Sequence, residues 1–241
     1  MRAAHLPEGP WRCEKDRNLM SGTFPHSPTT DPVWTAVRAE TWSEQERDAY
    51  LRQYLTTTIL KSKRLEDALG MVLAAKLKTE CLIPELLHSL VNQALGQSPE
   101  AGVAIRRDLQ AFVDRDPDAQ GFLVPFLFVK GFQALQSYRV AHWLWNQGRQ
   151  LLAYHLQNRI SDVFGVDIHP SAKIGSGIMM DHATGIVIGR SVVGNDVTIG
   201  AGAKILGHLE IGAGSVIGAG SVVLHSVPPN SRVMGVPGVV S

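Results

Sequence analysis

An acid and a histidine stand side by side in the stretch 178-IMMDHATGIVIG-189, where the surrounding residues are mostly aliphatic or small. Histidine ordinarily titrates near neutral pH, so His182 is a candidate general base. On a β-strand, Asp181 and His182 would point to opposite faces, and a purely structural strand would not need both polar groups. The alternative interpretation is a satisfied polar pair at a turn.

The residues around this pair form a six-residue repeat that begins at Ile168. An aliphatic residue or Met leads each block, and Gly, Ala or Ser occupy many of the following positions. This period is typical of a hexapeptide parallel β-helix, in which three blocks close one triangular coil of about 18 residues. We therefore predict a left-handed β-helix over residues 165–241. The leading positions are six apart up to Val192 and then seven apart to Ile199, which indicates a bulge or a deletion between them.

The part of the chain before the repeat shows helical periodicity and is predicted to be an all-helical domain over residues 33–164. The segment 43-SEQE-46 matches a capping box and predicts a helix start at Ser43. Further helices are expected near residues 83–97, 100–114 and 125–160. Residues 1–32 contain several prolines and no periodicity, so we expect a poorly ordered leader. The predicted fold class is α+β, with the helical domain followed by the β-helix.

Composition excludes several classes of protein. The net charge of +1 gives no reason to expect nucleic acid or an anionic membrane as a partner. No apolar run approaches the length of a membrane span. Cys13 and Cys81 lie far apart and outside any metal or redox spacing, which favours a reducing cytoplasm and a cytoplasmic location.

Four motifs carry a resemblance to a known family: 114-DRDPD-118, 130-KGFQALQSYRVAHWLWNQGR-149, 166-VDIHPSAKIGSGIMMDHATGIVIG-189 and 199-IGAGAKILG-207. With them, the chain from about Val33 to Pro237 resembles serine O-acetyltransferase, a member of the hexapeptide-repeat acyltransferase superfamily. That enzyme transfers acetyl from acetyl-CoA to the hydroxyl of L-serine on the way to cysteine. The resemblance implies a homotrimer or a dimer of trimers, with active sites between adjacent β-helices.

The resemblance also implies roles for four acidic and basic side chains. His182 is expected to be the catalytic base, and Asp167 the carboxylate that orients it. Their separation of 15 residues is close to one coil of about 18, so they could lie on neighbouring coils. Asp181 and Asp116 are expected to bind the ammonium group of L-serine.

Acetyl-CoA is the expected co-substrate, and the resemblance places its pantetheine arm along backbone groups of Ala201, Gly218 and Ala219. Small residues are required at the corners of a β-helix in any case, so these positions have a structural interpretation as well.

We expect no metal site. The histidines of the β-helix, His208 and His225 with His182, lack the close pairing of the zinc ligands in γ-type carbonic anhydrase. His169 is interpreted as a turn residue, and His142 as a packed helix residue with a hydrogen bond.

The sequence departs from the family pattern in two places. The stretch 190-RSVVGNDVT-198 joins directly to Ile199, where the family has a further coil and a protruding loop with an Arg and a His that contact the substrate carboxylate. The segment 235-GVPGVVS-241 lacks the tail that docks into cysteine synthase, so we do not expect a complex with that enzyme.

Three functions remain open at this stage. The first is a serine O-acetyltransferase whose activity is reduced by the missing loop. The second is a catalytically silent trimeric homologue with a structural or regulatory role, which the missing loop favours. The third is a hexapeptide acyltransferase with another small acceptor. The retention of Asp167, Asp181 and His182 favours the first and third, and we favour the first.

Overall fold

The computed structural model of the protein describes residues 31–241, so nearly all of the predicted leader of residues 1–32 lies outside the described part. Helices occupy the chain up to Phe164 and strands occupy it from Val166 onward. The α-helices are α1 Pro32–Arg47, α2 Ala49–Leu55, α3 Leu65–Leu77, α4 Pro84–Gly96, α5 Pro99–Arg115, α6 Leu123–Phe128, α7 Lys130–Asn146 and α8 Gln150–Phe164. A π-helical turn, Thr56–Leu60, continues α2.

The first helix begins at Pro32, as predicted from the helical signals that start near Val33, and not at the capping box 43-SEQE-46. Asp31 caps α1 by accepting a hydrogen bond from the backbone N–H of Trp34 at 3.1 Å, and Pro32 occupies the first turn. Ser43 lies inside α1, so the predicted start there is wrong. An aspartate followed by proline is a strong start signal, because proline lacks the N–H that a first turn leaves unpaired anyway.

The predicted long helix over 125–160 is three helices. Val129 has an extended conformation and separates α6 from α7. Gly148 separates α7 from α8, and its φ of +74° is a left-handed conformation that glycine adopts at little cost. Gly165 ends α8 in the same way, with φ +66°, and leads directly into the first strand.

The strands form a triangular prism with three faces, and the stacked strands within each face run parallel. They are β1 Val166–Ile168, β2 Lys173–Ile174, β3 Met179–Met180, β4 Ile186–Ile188, β5 Val192–Val193, β6 Thr198–Ile199, β7 Lys204–Ile205, β8 Glu210–Ile211, β9 Val216–Ile217, β10 Val222–Val223, β11 Arg232–Met234 and β12 Val239–Val240. Face 1 is β1-β4-β7-β10, face 2 is β2-β5-β8, and face 3 is β3-β6-β9-β11. β12 pairs antiparallel with β11 and covers that edge of face 3.

The irregularity of the repeat lies elsewhere than predicted. On face 1 the residues stacked in one inward column include Ile168, Ile188 and Ile205. On face 2 it is Val193 that is buried, while Val192 is 42% exposed. The spacing between the inward-facing residues Met180 and Ile188 is therefore longer than the six-residue repeat, and the spacing from Ile188 to Val193 is shorter. The extra residues lie in the corner that follows β3, not between 192 and 199.

Buried polar contacts fasten the helices to the first coil. Asp108 of α5 is fully buried and pairs with Arg139 of α7 at 2.7 Å. The same carboxylate accepts the backbone N–H of Ile178 at 2.9 Å, and Arg139 also donates to the carbonyl of Gly175 at 2.8 Å. These bonds set the position of α5 and α7 against the β-helix. The predicted fold class, a helical domain followed by a parallel β-helix, is confirmed.

Across residues 31–241 the structure contains no helix with the length and apolar character needed to cross a membrane.

Candidate active site

The corner between β3 and β4 holds the acid–histidine pair, and we call residues 181–185 the DHATG corner. His182 and Ala183 both have positive φ, at 51° and 59°. Two short backbone hydrogen bonds close the turn, from Ala183 N to Asp181 O at 2.5 Å and from Thr184 N to His182 O at 2.7 Å. Left-handed conformations are uncommon for residues other than glycine, and they cluster at functional sites. The turn buries Ala183 and leaves the His182 side chain 86% exposed.

Asp181 and His182 lie in a corner and not on a strand, so strand alternation does not separate them. The distance from Asp181 Oδ1 to His182 Nε2 is 3.8 Å, and the Asp181 side chain is about half exposed. The expectation that Asp181 points away from His182 is therefore wrong. A carboxylate this close can interact with the imidazolium form of His182, and both groups are accessible to a small substrate.

Asp167 lies at the centre of β1, and its Cα partner on the next coil is Val187, which follows the DHATG corner. Its carboxylate accepts a hydrogen bond from Gln157 Nε2 of α8 at 2.6 Å. Among the described side chains, the structure shows no hydrogen bond between Asp167 and His182. The two residues lie on successive coils, as the spacing indicated, and the orienting role of Asp167 stays a prediction.

Asp116 is the C-cap residue of α5, and its Oδ1 accepts the N–H of Asp118 at 2.9 Å. The preceding residue, Arg115, donates to the carbonyl of Gly177 at 3.0 Å and to Thr198 Oγ1 at 3.3 Å. This end of α5 therefore contacts face 3, whose strand β3 leads into the DHATG corner. Asp116 lies at this end of α5, next to the corner that precedes β3, and its role in binding L-serine stays a prediction.

Two further residues contact the corner, and sequence reasoning assigned them no role. Lys130 Nζ donates a hydrogen bond to Thr184 Oγ1. Gly131 lies so close to the carbonyl of Met180 and to Ala183 that a Cβ would not fit there. Both belong to the first turn of α7. The stretch 130-KGFQ-133 is part of one of the motifs that carry the family resemblance, and this was the sequence signal that could have pointed to them.

The positions predicted to bind acetyl-CoA lie on the same edge of the prism as His182. Gly202 N donates to Thr184 O, and Gly220 N donates to Ala201 O, both at 2.8 Å, so the corners of successive coils stack in a column. Gly218 and Ala219 belong to the lower corner of this column. Because these residues have little or no side chain, an extended ligand could reach their backbone groups. Their binding role stays a prediction.

The remaining histidines include two with hydrogen bonds inside the fold. His142 Nδ1 lies 2.7 Å from the carbonyl of Pro170, which confirms its interpretation as a packed helix residue. Burial lowers the pKa of His142 below its ordinary value of 6.5. His169 Nδ1 accepts the backbone N–H of Ser171 at 3.0 Å, as a turn residue does. Burial, with Arg190 nearby, lowers the pKa of His169 as well.

His208 and His225 are both exposed, on corners of later coils. Over residues 31–241, no group of three or more His, Cys, Asp or Glu side chains is arranged to hold a metal ion.

Two cavities of the described chain lie away from the DHATG corner. One of about 400 Å³ lies between α5, α7 and the corner after β2, with Arg139, His142 and Ser176 in its lining. Another of about 570 Å³ lies near Cys81 and Leu151. His182 is presented at an open edge of the prism, where a second protein surface could enclose it.

Comparison with known proteins gives consistent matches. Residues 33–137 match the family described as serine acetyltransferase, N-terminal, and residues 190–225 match bacterial transferase hexapeptide (six repeats). The chain is 43% identical to serine acetyltransferase of Escherichia coli (strain K12) over 232 residues, which cover 85% of each protein. The alignment has 232 positions but includes only 85% of this chain. The relative therefore has residues that have no counterpart in this chain.

Two solved structures are also similar. Soybean serine acetyltransferase complexed with serine has a TM-score of 0.79 and 40% identity, covering 87% of this chain and 97% of the other. A serine acetyltransferase in complex with CoA has a TM-score of 0.79 and 42% identity, covering 87% of this chain and 98% of the other.

Proposed function

The chain belongs to the serine acetyltransferase family, and we propose that it transfers acetyl from acetyl-CoA to the hydroxyl of L-serine at the DHATG corner. Acetyl-CoA is the co-substrate, in keeping with the CoA complex of a similar structure. The observation that carries the assignment of the site is the exposed His182, held in a left-handed turn on the same edge as the small-residue corners.

The proposed step is general-base catalysis by His182. Its imidazole takes the proton of the serine hydroxyl while the oxygen attacks the thioester carbonyl. The C–S bond then breaks, the acetyl group remains on the serine oxygen, and the thiolate of CoA takes the proton back from the imidazolium. O-acetylserine and CoA are the products, and the histidine returns to its neutral form.

Asp167 is proposed to stabilise the imidazolium, and Gln157 to hold Asp167 in place through their 2.6 Å hydrogen bond. The DHATG corner joins face 3 to face 1, and Asp167 lies on face 1. Pairing with Asp167 requires a different rotamer of the His182 side chain, which is 86% exposed. Asp181, with Asp116 at the end of α5, is then available for the ammonium group of serine.

We also propose that the active enzyme is a trimer or a dimer of trimers. His182 lies at an open edge, and Val192, Leu206 and Leu224 expose 41–46% of their surface on the β-helix. Exposed aliphatic side chains on successive coils are typical of an interface between copies of a chain. A cytoplasmic location stays a prediction from the sequence.

The experiment that tests the function is a thiol-release assay with acetyl-CoA and L-serine, together with mass spectrometry of the product. Release of CoA that depends on L-serine and yields O-acetylserine is expected. Absence of thiol release at saturating L-serine, from protein that still binds acetyl-CoA, would support the catalytically silent alternative. Turnover with a different hydroxyl or amine acceptor, but not with serine, would identify a different acyltransferase.

A further inference from the structure

The charges around the DHATG corner are unequal in number. Asp181 lies in the corner, and Asp167 lies on β1, where its Cα partner is Val187, just beyond the corner. The cationic side chain that touches the corner is Lys130, whose Nζ donates to Thr184 Oγ1. Thr184 is only two residues beyond His182 in the chain.

Lys130 is attached to a rigid support. It is the first residue of α7, and the next residue, Gly131, packs against the Met180 carbonyl and Ala183 without space for a Cβ. The backbone of α7 therefore cannot shift toward the corner, and it cannot carry a larger residue at 131. This packing fixes the backbone at Lys130 beside the DHATG corner, and the hydrogen bond to Thr184 Oγ1 places its ammonium there.

Two other cations that contact the β-helix have different partners; Lys204 lies at the edge of the DHATG corner, and Arg115 lies at the opposite edge of face 3. Arg115 donates to Gly177 O and lies 3.6 Å from Asp196. Lys204 Nζ donates to Gly202 O at 2.6 Å, one coil farther along the prism. A lysine ammonium has three N–H donors, so the bond from Lys130 to Thr184 leaves two of them for a ligand.

L-serine presents three groups to a binding site: a hydroxyl, an ammonium and a carboxylate. His182 meets the hydroxyl and the aspartates suit the ammonium, which leaves the carboxylate without a partner of opposite charge. We propose that Lys130 binds the carboxylate of L-serine and thereby selects an amino acid over an amino alcohol or amide that lacks the carboxylate. This inference rests on the proposed function, and it adds a specificity-determining residue to that site.

The test compares the binding of L-serine with that of L-serinamide by isothermal titration calorimetry. The two ligands share the hydroxyl and the ammonium, and only L-serine has the carboxylate. Wild-type protein should bind L-serine about 10- to 100-fold more tightly, as expected for a hydrogen bond between charged groups. Lys130→Met should abolish this preference, and Lys130→Arg should retain part of it. Lys204→Met is the matched control and should keep the preference.

Several outcomes would overturn the proposal. The first two are equal affinity of the wild type for both ligands and a preference for L-serine that survives in Lys130→Met. The third is a Lys130→Met variant whose affinity falls equally for both ligands. The fourth is a Lys204→Met variant that loses the preference to the same extent as Lys130→Met. The thiol-release assay separates this inference from the function itself. If binding shows the expected pattern but no acetyl transfer occurs, the transfer reaction is wrong, and the role of Lys130 in binding stands.

Discussion

Asp108 and Arg139 form an ion pair with an Oδ2–Nη2 distance of 2.7 Å, at the junction where α5 and α7 meet the first coil of the β-helix. The carboxylate is fully buried, and its other oxygen accepts the backbone N–H of Ile178, two residues before the end of β3. The position of the DHATG corner therefore depends on a charge that is paired far from the surface.

Asp108→Ala should destabilise the protein by about 3–5 kcal/mol, because it leaves a largely buried guanidinium without its partner. The free energy of unfolding in urea measures this loss. Arg107→Ala is the control, since Arg107 joins α5 to Asp196 through an exposed pair at 3.0 Å and should cost about 1 kcal/mol or less. A loss in Asp108→Ala no larger than in the control would contradict the importance of the buried pair.

His182→Asn should lower kcat by about 10²–10⁴-fold, because the variant has no general base. Asparagine is the preferred replacement, since it tolerates the left-handed φ of 51° and keeps the turn intact. Steady-state thiol release measures the effect. His208→Asn changes an exposed histidine on a later coil and should leave kcat as in the wild type; full activity in His182→Asn would refute the mechanism.

Two aspartates should differ in the kinetic constant that they affect. Asp167→Asn should act mainly on kcat, with a loss of at least about tenfold, because the imidazolium loses a stabilising charge. Asp181→Asn should act mainly on the KM for L-serine, because it removes a partner of the substrate ammonium. Initial rates over a range of L-serine concentrations separate the two constants. The same change in both variants would show that the assigned roles are wrong.

Stability should fall as the pH decreases from about 7.5 to about 5.5, in part through His142. Burial holds the pKa of His142 below 6.5 in the folded protein, so the unfolded chain binds the proton more readily in the window between the two pKa values. The folded state therefore loses stability as the pH falls through that window.

Urea unfolding at both pH values measures this dependence. His142→Gln should reduce it, and His225→Gln, at an exposed position, should reduce it less. An unchanged dependence in His142→Gln would contradict the contribution of the buried imidazole.

Light scattering should give a mass of three or six times the 26.2 kDa of one chain. Leu206→Glu combined with Leu224→Glu should reduce that mass, because charged side chains would be placed on exposed aliphatic positions of successive coils. Leu151→Glu, on the 85% exposed Leu151 of α8, is the matched control and should leave the mass unchanged. A monomer in the wild type would remove the basis for an active site shared between chains.

The period of the sequence was sufficient to predict the β-helix. Its rule is local, because each block needs an inward aliphatic residue and small corner residues, and the same requirement recurs in every coil. The acid–histidine pair could be recognised as well, since Asp181 and His182 interrupt a stretch, residues 178–189, whose other members are mostly aliphatic or small. The helical region was also predictable as a class, but not the position of its breaks at Val129 and Gly148.

The tertiary structure decided how that corner is shaped and what touches it. The extra residues of the repeat could lie before Ile188 or after Val192, and counting in sixes does not distinguish the two positions. The answer depends on which side chains fill the interior of the prism. Lys130 is 54 positions from Thr184, and no local pattern relates a helix start to a corner so distant. Their contact exists because α7 is held against the first coil by packing at Gly131 and by the buried Asp108–Arg139 pair, and such long-range contacts are properties of the folded chain.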